Sequence, residues 1–163
     1  MKTLLRTIVW LALVVWLGGL LFFPITAWAA FSSIADTHAA GTIVAKCINV
    51  LHYEGFIAGA AIVLLLALSY FVRAFRLSTT SLGVIVTVLM LACTAWSQYR
   101  IIPRMEQDRI AAGGAIDSVP ATDPRHVDFD RLHVLSTHVE ECVMLGGLIL
   151  VFLLARNHSA TRD

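Results

Sequence analysis

The stretch Ser136–Arg156, with the sequence STHVEECVMLGGLILVFLLAR, decides how many times this chain crosses a membrane. Its charge-free part, Cys142–Ala155, is too short to cross a bilayer, because a helix rises about 1.5 Å per residue and the hydrocarbon core is about 30 Å thick. A span that ends at the terminal arginine of this stretch therefore begins about 20 residues earlier, at its polar end. Three ionisable side chains then lie inside the membrane or at its rim: His138, Glu140 and Glu141. Such groups are costly in lipid and suggest either a functional site or a buried polar brace.

Three other charge-free stretches are long enough, or nearly long enough, to span a bilayer: Thr7–Ala35, Gly55–Val72 and Leu77–Tyr99. With 58% hydrophobic residues and a mean hydropathy of +0.80, the chain is too continuously apolar for a soluble globular domain. A nucleotide-binding glycine motif, a nucleophile elbow and a basic patch for nucleic acid are all missing from the sequence. We predict a single domain over residues 1–163, an all-α integral membrane four-helix bundle with spans at about 4–30, 53–73, 79–99 and 136–156.

The first span also resembles a cleavable signal peptide, because basic residues precede an apolar run that reaches the small-residue segment Ala27–Ala29. The uninterrupted apolar run Ile8–Phe23 nevertheless exceeds the usual signal-peptide core of about 7–15 residues, and apolar character continues to Phe31. We therefore expect the first span to be retained.

Charge placement predicts that both termini of the bundle are cytoplasmic. In that orientation each side of the membrane holds six basic residues, so counting alone does not decide. The inner ones lie close to the membrane, in the tails and in the short Arg73–Arg76 loop, whereas Arg109 and Arg125 lie in a longer loop among acidic residues. Every acidic residue except Asp163 then falls on the outer side. We expect a multi-pass protein of the cell inner (plasma) membrane, whose partners are the lipid bilayer and another membrane protein or a second copy of the chain.

Polar and ionisable groups from three different spans fall at one depth, toward the outer leaflet. The set is His52, Glu54, Gln98, Arg100, His133, Ser136, His138, Glu140 and Glu141. On a helical wheel His133, Ser136 and Glu140 share one face of the fourth span, which we expect to face the bundle because a polar stripe facing lipid is expensive. We predict that Glu140 and His133 form the centre of a cluster with Arg100 and Glu54.

Three interpretations of this cluster stay open. In the structural one, Arg100 pairs with Glu54 or Glu140, and the network sets the register of the helices without any cofactor. The second is a transition-metal site, since imidazole and carboxylate suit Zn, Fe, Ni or Cu, with Cys142 or Met144 as a soft ligand.

The third interpretation is a b-type haem held by His52 and His133 across the bundle, with redox chemistry following from the iron. A metal or haem would make the protein a redox or metal-transport component. Without one, we expect a non-enzymatic membrane protein whose outer-leaflet cluster serves helix packing, partner binding or small-ion handling.

The three cysteines show no short spacing of the metal-binding kind. Cys93 falls in the middle of the third span, where a thiol behaves as a small apolar side chain. Cys47 and Cys142 both fall toward the outer side, where a disulfide is chemically permitted.

Several segments of the chain resemble a known family. They are Trp16–Gly19 (WLGG), Pro103–Met105 (PRM) and Phe129–Ser136 (FDRLHVLS), the last of which contains a Phe-x-x-x-His-x-x-Ser element. Together they resemble the bacterial membrane family called domain of unknown function 4149, which is similar to eukaryotic transmembrane protein 205. The resemblance implies a compact four-helix membrane bundle, assigns no reaction, and points to His133 and Ser136 as candidate site residues.

Overall fold

A computed structural model describes residues 1–159 of the chain, with side chains through Arg156. The architecture is an all-α bundle of four long apolar helical stretches, so the predicted fold class is confirmed. In chain order the elements are α1 (Lys2–Ser33), α2 (Thr37–Val72), α3 (Leu77–Trp96), a π-helical turn (Ser97–Ile101), α4 (Ile102–Ala111), a 3-10 turn (Ile116–Ser118) and α5 (Pro124–Ser159). Asp163, which entered the charge argument, lies outside the described residues.

The helices are longer than the predicted spans because their polar ends continue beyond the apolar stretches. Each of the four stretches is long and apolar enough to cross a membrane: Lys2–Ser33, Thr37–Val72, Leu77–Ser118 and Pro124–Arg156. Short turns separate the first three, and the carboxylate of Asp36 caps α2 by accepting from the backbone N–H of His38 at 2.9 Å. Proline at position 24 does not end α1, which runs on to Ser33.

The four stretches are arranged as a ring. Helix α1 packs on α2, α2 on α3, and α3 on α5, and α5 closes the ring against α1. Because α2 and α5 are not neighbours in this ring, they face one another diagonally across the core. Only long side chains can connect them there.

The core runs along the ring axis and is built from residues spaced three or four apart. On α1 the buried positions are Leu5, Val9, Leu13, Trp16, Leu17 and Leu20. All of these except Leu17 belong to one cluster with Ile62 and Leu66 of α2 and Leu150 of α5. The outward faces carry large apolar side chains as well, and Ile57 and Phe71 are 74% and 80% exposed. A helix that is apolar all round is typical of a membrane span, so lipid is the natural solvent of these outer faces.

A glycine pair on α2 makes room for the indole of Trp16. A Cβ atom on Gly55 would lie 2.6 Å from Trp16 Nε1, and a Cβ atom on Gly59 would lie 2.9 Å from the far edge of the same ring. Small residues at this spacing let two helices approach closely in lipid, where apolar burial supplies no drive to associate. The Gly55–Gly59 pair is therefore a packing site within the bundle.

Both ends of the described chain lie at the same end of the bundle. The Arg6 guanidinium donates from Nε to the Ala74 carbonyl at 2.6 Å and lies 5.4 Å from the centre of the Phe75 ring, which ties the start of α1 to the α2–α3 turn. A Cβ atom on Gly83, near the start of α3, would lie 3.4 Å from Leu150, which places the final turns of α5 at this end too.

The π-helical turn sits directly before Pro103. Proline has no backbone N–H, and its ring collides with the carbonyl four residues back in a regular α-helix. Here the chain widens instead, and the Ile102 N–H bonds to the Ser97 carbonyl, five residues earlier. The extra residue in this turn rotates the following helix, α4, relative to α3.

Candidate functional site: a diagonal polar network

A buried histidine connects three helices at the end of the apolar core opposite the described N-terminus, which we call the outer end. His52 on α2 is 1% exposed, and both of its ring nitrogens have partners. Its Nδ1 lies 2.6 Å from Gln98 Oε1 in the π-helical turn, and its Nε2 lies 2.7 Å from Glu140 Oε1 on α5. The Gln98 amide in turn donates from Nε2 to Asn49 Oδ1 at 2.8 Å. We call these four residues, Asn49, Gln98, His52 and Glu140, the diagonal network.

The hydrogen-bond pattern determines where protons must lie. Because the Gln98 amide donates to Asn49, its oxygen faces His52 and can only accept, so Nδ1 carries a hydrogen. The 2.7 Å contact between Nε2 and the Glu140 carboxyl then needs one proton between two acceptor atoms. The His52–Glu140 pair therefore holds one shared proton and has no net charge, which suits it to burial among apolar helices.

Local structure explains how each member points inward. His52 follows Leu51 and precedes Gly55 and Gly59 on the buried side of α2. Gln98 is buried with Ser97 and Ile101 in the π-helical turn, in line with the buried Met90 and Thr94 of α3. Glu140 follows the buried Val139, and its long side chain reaches across to the diagonal helix while remaining 13% exposed.

Two polar atoms beside the network lack a protein partner. Glu140 Oε2 and the Ser97 hydroxyl are buried and make no hydrogen bond within the described residues. An unsatisfied buried acceptor costs about 1–3 kcal/mol, so the pair bears a cost that its 2.7 Å bond must offset.

Among the described side chains, the structure brings three of the predicted cluster residues together, because His52 contacts both Gln98 and Glu140. Arg100 is exposed, and among the side chains described, through Arg156, it has no ion-pair or hydrogen-bond partner. The buried face of the third stretch passes through Thr94 and Gln98, four residues apart, and Arg100 lies off that face. Glu54 lies elsewhere, in the seam between α1 and α2 against Gly19.

The remaining predicted residues lie on α5. His133 is exposed and stacks on Phe129 with ring centroids 6.5 Å apart, so it does not reach Glu140. Ser136 is buried at 6% exposure, whereas His138 and Glu141 are exposed. The buried stripe of α5 passes through Ser136, Val139 and Val143, and His133 falls one position past this stripe.

Asn49 was not among the predicted site residues, although its signal was present in the sequence. It lies three residues before His52, one helical turn away on the same face of α2. An amide side chain one helical turn from a histidine, on the same face of α2, was the available signal.

The side chains that could bind a metal do not converge on one site in the described part of the chain. No group of three or more His, Cys, Asp and Glu side chains converges there. Both His52 nitrogens are already engaged, and His133, seven residues before Glu140, is displaced from it by about 10 Å along α5. The three cysteines are all free thiols, so Cys47 and Cys142 are not joined.

Beyond the outer end of the apolar core, α4 and the following loop are held by surface charges. Arg109 bonds to Glu106 at 2.8 Å and reaches the Thr42 hydroxyl on α2 at 2.9 Å. Arg125 lowers the pKa of Asp123 from its usual 3.8 to about 2. The pair therefore stabilises the fold fully above pH 3.8, and this stabilisation is lost as the pH falls through about 2. The arginine also donates to the Ala111 carbonyl, joining the start of α5 to the end of α4.

The pKa of one other carboxyl in this region, that of Asp108, is shifted upward instead. Asp108 on α4 is buried, and burial raises its pKa. The neighbouring Asp128 carboxylate raises the pKa of Asp108 further, and Arg104 counteracts this only in part.

Comparisons with known proteins found no relative of this chain. No protein-family model, no curated protein and no solved structure matches the chain. The functional interpretation therefore depends on the residues and contacts described above.

Proposed function

We propose that this chain is a non-enzymatic multi-pass protein of the cell inner membrane whose diagonal network locks the helices together at the outer leaflet. The observation that carries the proposal is the buried, proton-sharing contact of 2.7 Å between His52 on α2 and Glu140 on α5. It joins two helices that do not pack directly on each other. Gln98 extends the connection to a third span.

The physical setting supports a packing role. Lipid tails are as apolar as the core residues, so burial of leucine does not favour one helix pairing over another in a membrane. Interhelical hydrogen bonds and close-packed small residues then decide which helices meet. The diagonal network supplies the first of these at the outer end, and the Gly55–Gly59 pair supplies the second just beneath it.

Charge placement supports an orientation with both termini in the cytoplasm. The end of the bundle that carries the described N-terminus also carries Arg6 and the Arg73–Arg76 turn, while the opposite end carries the acidic loop. Basic residues close to a span favour the cytoplasmic side.

The positions of His52 and His133 support a role without a metal or haem. A haem held by His52 and His133 would require His52 to give up a hydrogen bond and His133 to move inward from an exposed position. We also propose membership of the domain of unknown function 4149 family, on the Phe129, His133 and Ser136 element alone.

Absorption spectroscopy and elemental analysis of detergent-purified protein test the proposal. We expect a colourless protein with no stoichiometric metal. A Soret band, or a bound metal at one equivalent that is lost in His52→Gln and retained in His138→Gln, would replace the packing role with a redox or transport role. His138 is a matched control because it is a histidine at similar depth that is exposed on α5.

A further inference from the structure

A second acidic side chain at membrane depth stands apart from the diagonal network. Glu54 lies 19 residues before Arg73 on α2, which is about 28 Å along the helix and close to the outer edge of a hydrocarbon core about 30 Å thick. Its carboxyl rests against α1 where Gly19 has no side chain, and a Cβ atom there would lie 3.0 Å from Glu54 Oε1. The missing side chain of Gly19 thus leaves the space that this carboxyl occupies.

The Glu54 carboxyl has no partner in the described part of the protein. Its Oε1 atom is buried and makes no hydrogen bond there. A carboxyl group in this setting is expensive, and ionisable residues at membrane depth by default mark a ligand or ion site.

Two grooves on the lipid-facing side of the α1–α2 seam meet at Glu54. The outer groove has a volume of about 310 Å³ and is lined by Phe22, Phe23, Val50 and Leu51, with Lys46 at its rim. The inner groove, of about 300 Å³, is almost wholly apolar and includes Leu11 and Ile57. Phe22 and Val50 are 63% and 67% exposed, so the outer groove opens toward lipid.

The charges in the outer groove select the kind of ligand. Lys46 lies eight residues before Glu54, about 12 Å along the helix, and no ion pair joins the two side chains among the described residues. The carboxyl at the bottom of the groove is therefore left to a cation that arrives from the bilayer. The rings of Phe22 and Phe23 beside it can contact an aromatic body or the cation itself.

We propose that Glu54 and the outer groove form a binding site for an amphiphilic cation, with the positive charge on the Glu54 carboxylate and the apolar body against Phe22 and Phe23. The site is entered from the lipid and does not involve the diagonal network. It gives the protein a ligand of defined chemistry: one delocalised positive charge carried on a largely apolar molecule.

Equilibrium dialysis of the purified full-length chain with tetraphenylphosphonium tests the site. We expect saturable binding that is weakened about thirtyfold in Glu54→Gln, because removing one member of a desolvated charge pair typically costs at least 2 kcal/mol at 1.4 kcal/mol per tenfold change. Glu141→Gln is the matched control, since Glu141 is an exposed carboxylate of α5 at similar depth and lines neither groove. Its binding should match that of the unmodified chain.

Labelling with dicyclohexylcarbodiimide, a lipid-soluble carboxyl reagent, provides a second readout that does not depend on affinity. Mass spectrometry should locate the adduct on Glu54, and tetraphenylphosphonium should suppress it. An adduct that tetraphenylphosphonium does not suppress, or equal binding by Glu54→Gln and the unmodified chain, would overturn the proposal. Glu140→Gln should retain tetraphenylphosphonium binding, so failure of this site and failure of the packing role can be told apart.

Discussion

Removing the Glu140 carboxyl should destabilise the bundle far more than removing an exposed carboxyl. In Glu140→Ala, His52 keeps its buried position at 1% exposure but loses the partner that shares its proton. The deletion leaves the buried Nε2 of a neutral His52 without a hydrogen-bond partner, which costs about 1–3 kcal/mol, whereas exposed pairs are worth about 0–1 kcal/mol. Glu106→Ala is the control, because Glu106 is 44% exposed and pairs with Arg109 on the surface of α4.

A double-mutant cycle tests whether His52 is the partner of Glu140. Glu140→Ala combined with His52→Ala should be less damaging than the sum of the single changes, by about 0.5–3 kcal/mol, since the two residues are in contact. The sequence alone predicted this coupling for Arg100. In the structure Arg100 is exposed and lacks a partner among the side chains described, through Arg156, so Arg100→Ala and Glu140→Ala should now be additive.

Reversible unfolding in mixed micelles, with dodecyl sulfate as the denaturant, measures these free energies. Glu140→Gln should retain most of the stability, because its amide can donate to His52 Nε2 in place of the shared proton. Equal stability of Glu140→Ala and Glu106→Ala, or strict additivity of His52→Ala with Glu140→Ala, would refute the buried pair and with it the packing role.

Three further outcomes follow from other parts of the molecule. In a cysteine-free background, Thr122→Cys should react with a membrane-impermeant maleimide in intact cells and Ser78→Cys should not; the reverse pattern would invert the topology. Gly55→Ala should destabilise the bundle by about 1–3 kcal/mol, because its Cβ atom would lie 2.6 Å from an indole nitrogen, whereas Gly18→Ala, with no atom within 4 Å, should be neutral or slightly stabilising in the same unfolding assay. Asp108→Asn should raise thermal stability at pH 7, because burial raises the pKa of this carboxyl and penalises its charged form, and the gain should vanish below pH 3.8, where the acid is protonated in both the folded and unfolded chain.

The number and length of the spans could be derived from the sequence because both depend on local quantities. Four apolar stretches and a rise of about 1.5 Å per residue are sufficient to predict four helices. The same arithmetic extended the fourth span back past Glu140, and α5 indeed continues from Pro124 through this residue. The presence of polar groups at the outer end of the core was predictable for the same reason.

Which polar groups meet depends on the rotation of each helix about its axis, and only the tertiary structure decided that. The third stretch is rotated so that its buried face passes through Thr94 and Gln98, and Arg100 lies off that face. The partner of Glu140 comes from the diagonal helix, 88 residues away in the chain, and no local pattern specifies that distance. A helical wheel gives the relative direction of side chains within one helix, but the contact between His52 and Glu140 requires the relative placement of two helices that do not touch along their backbones.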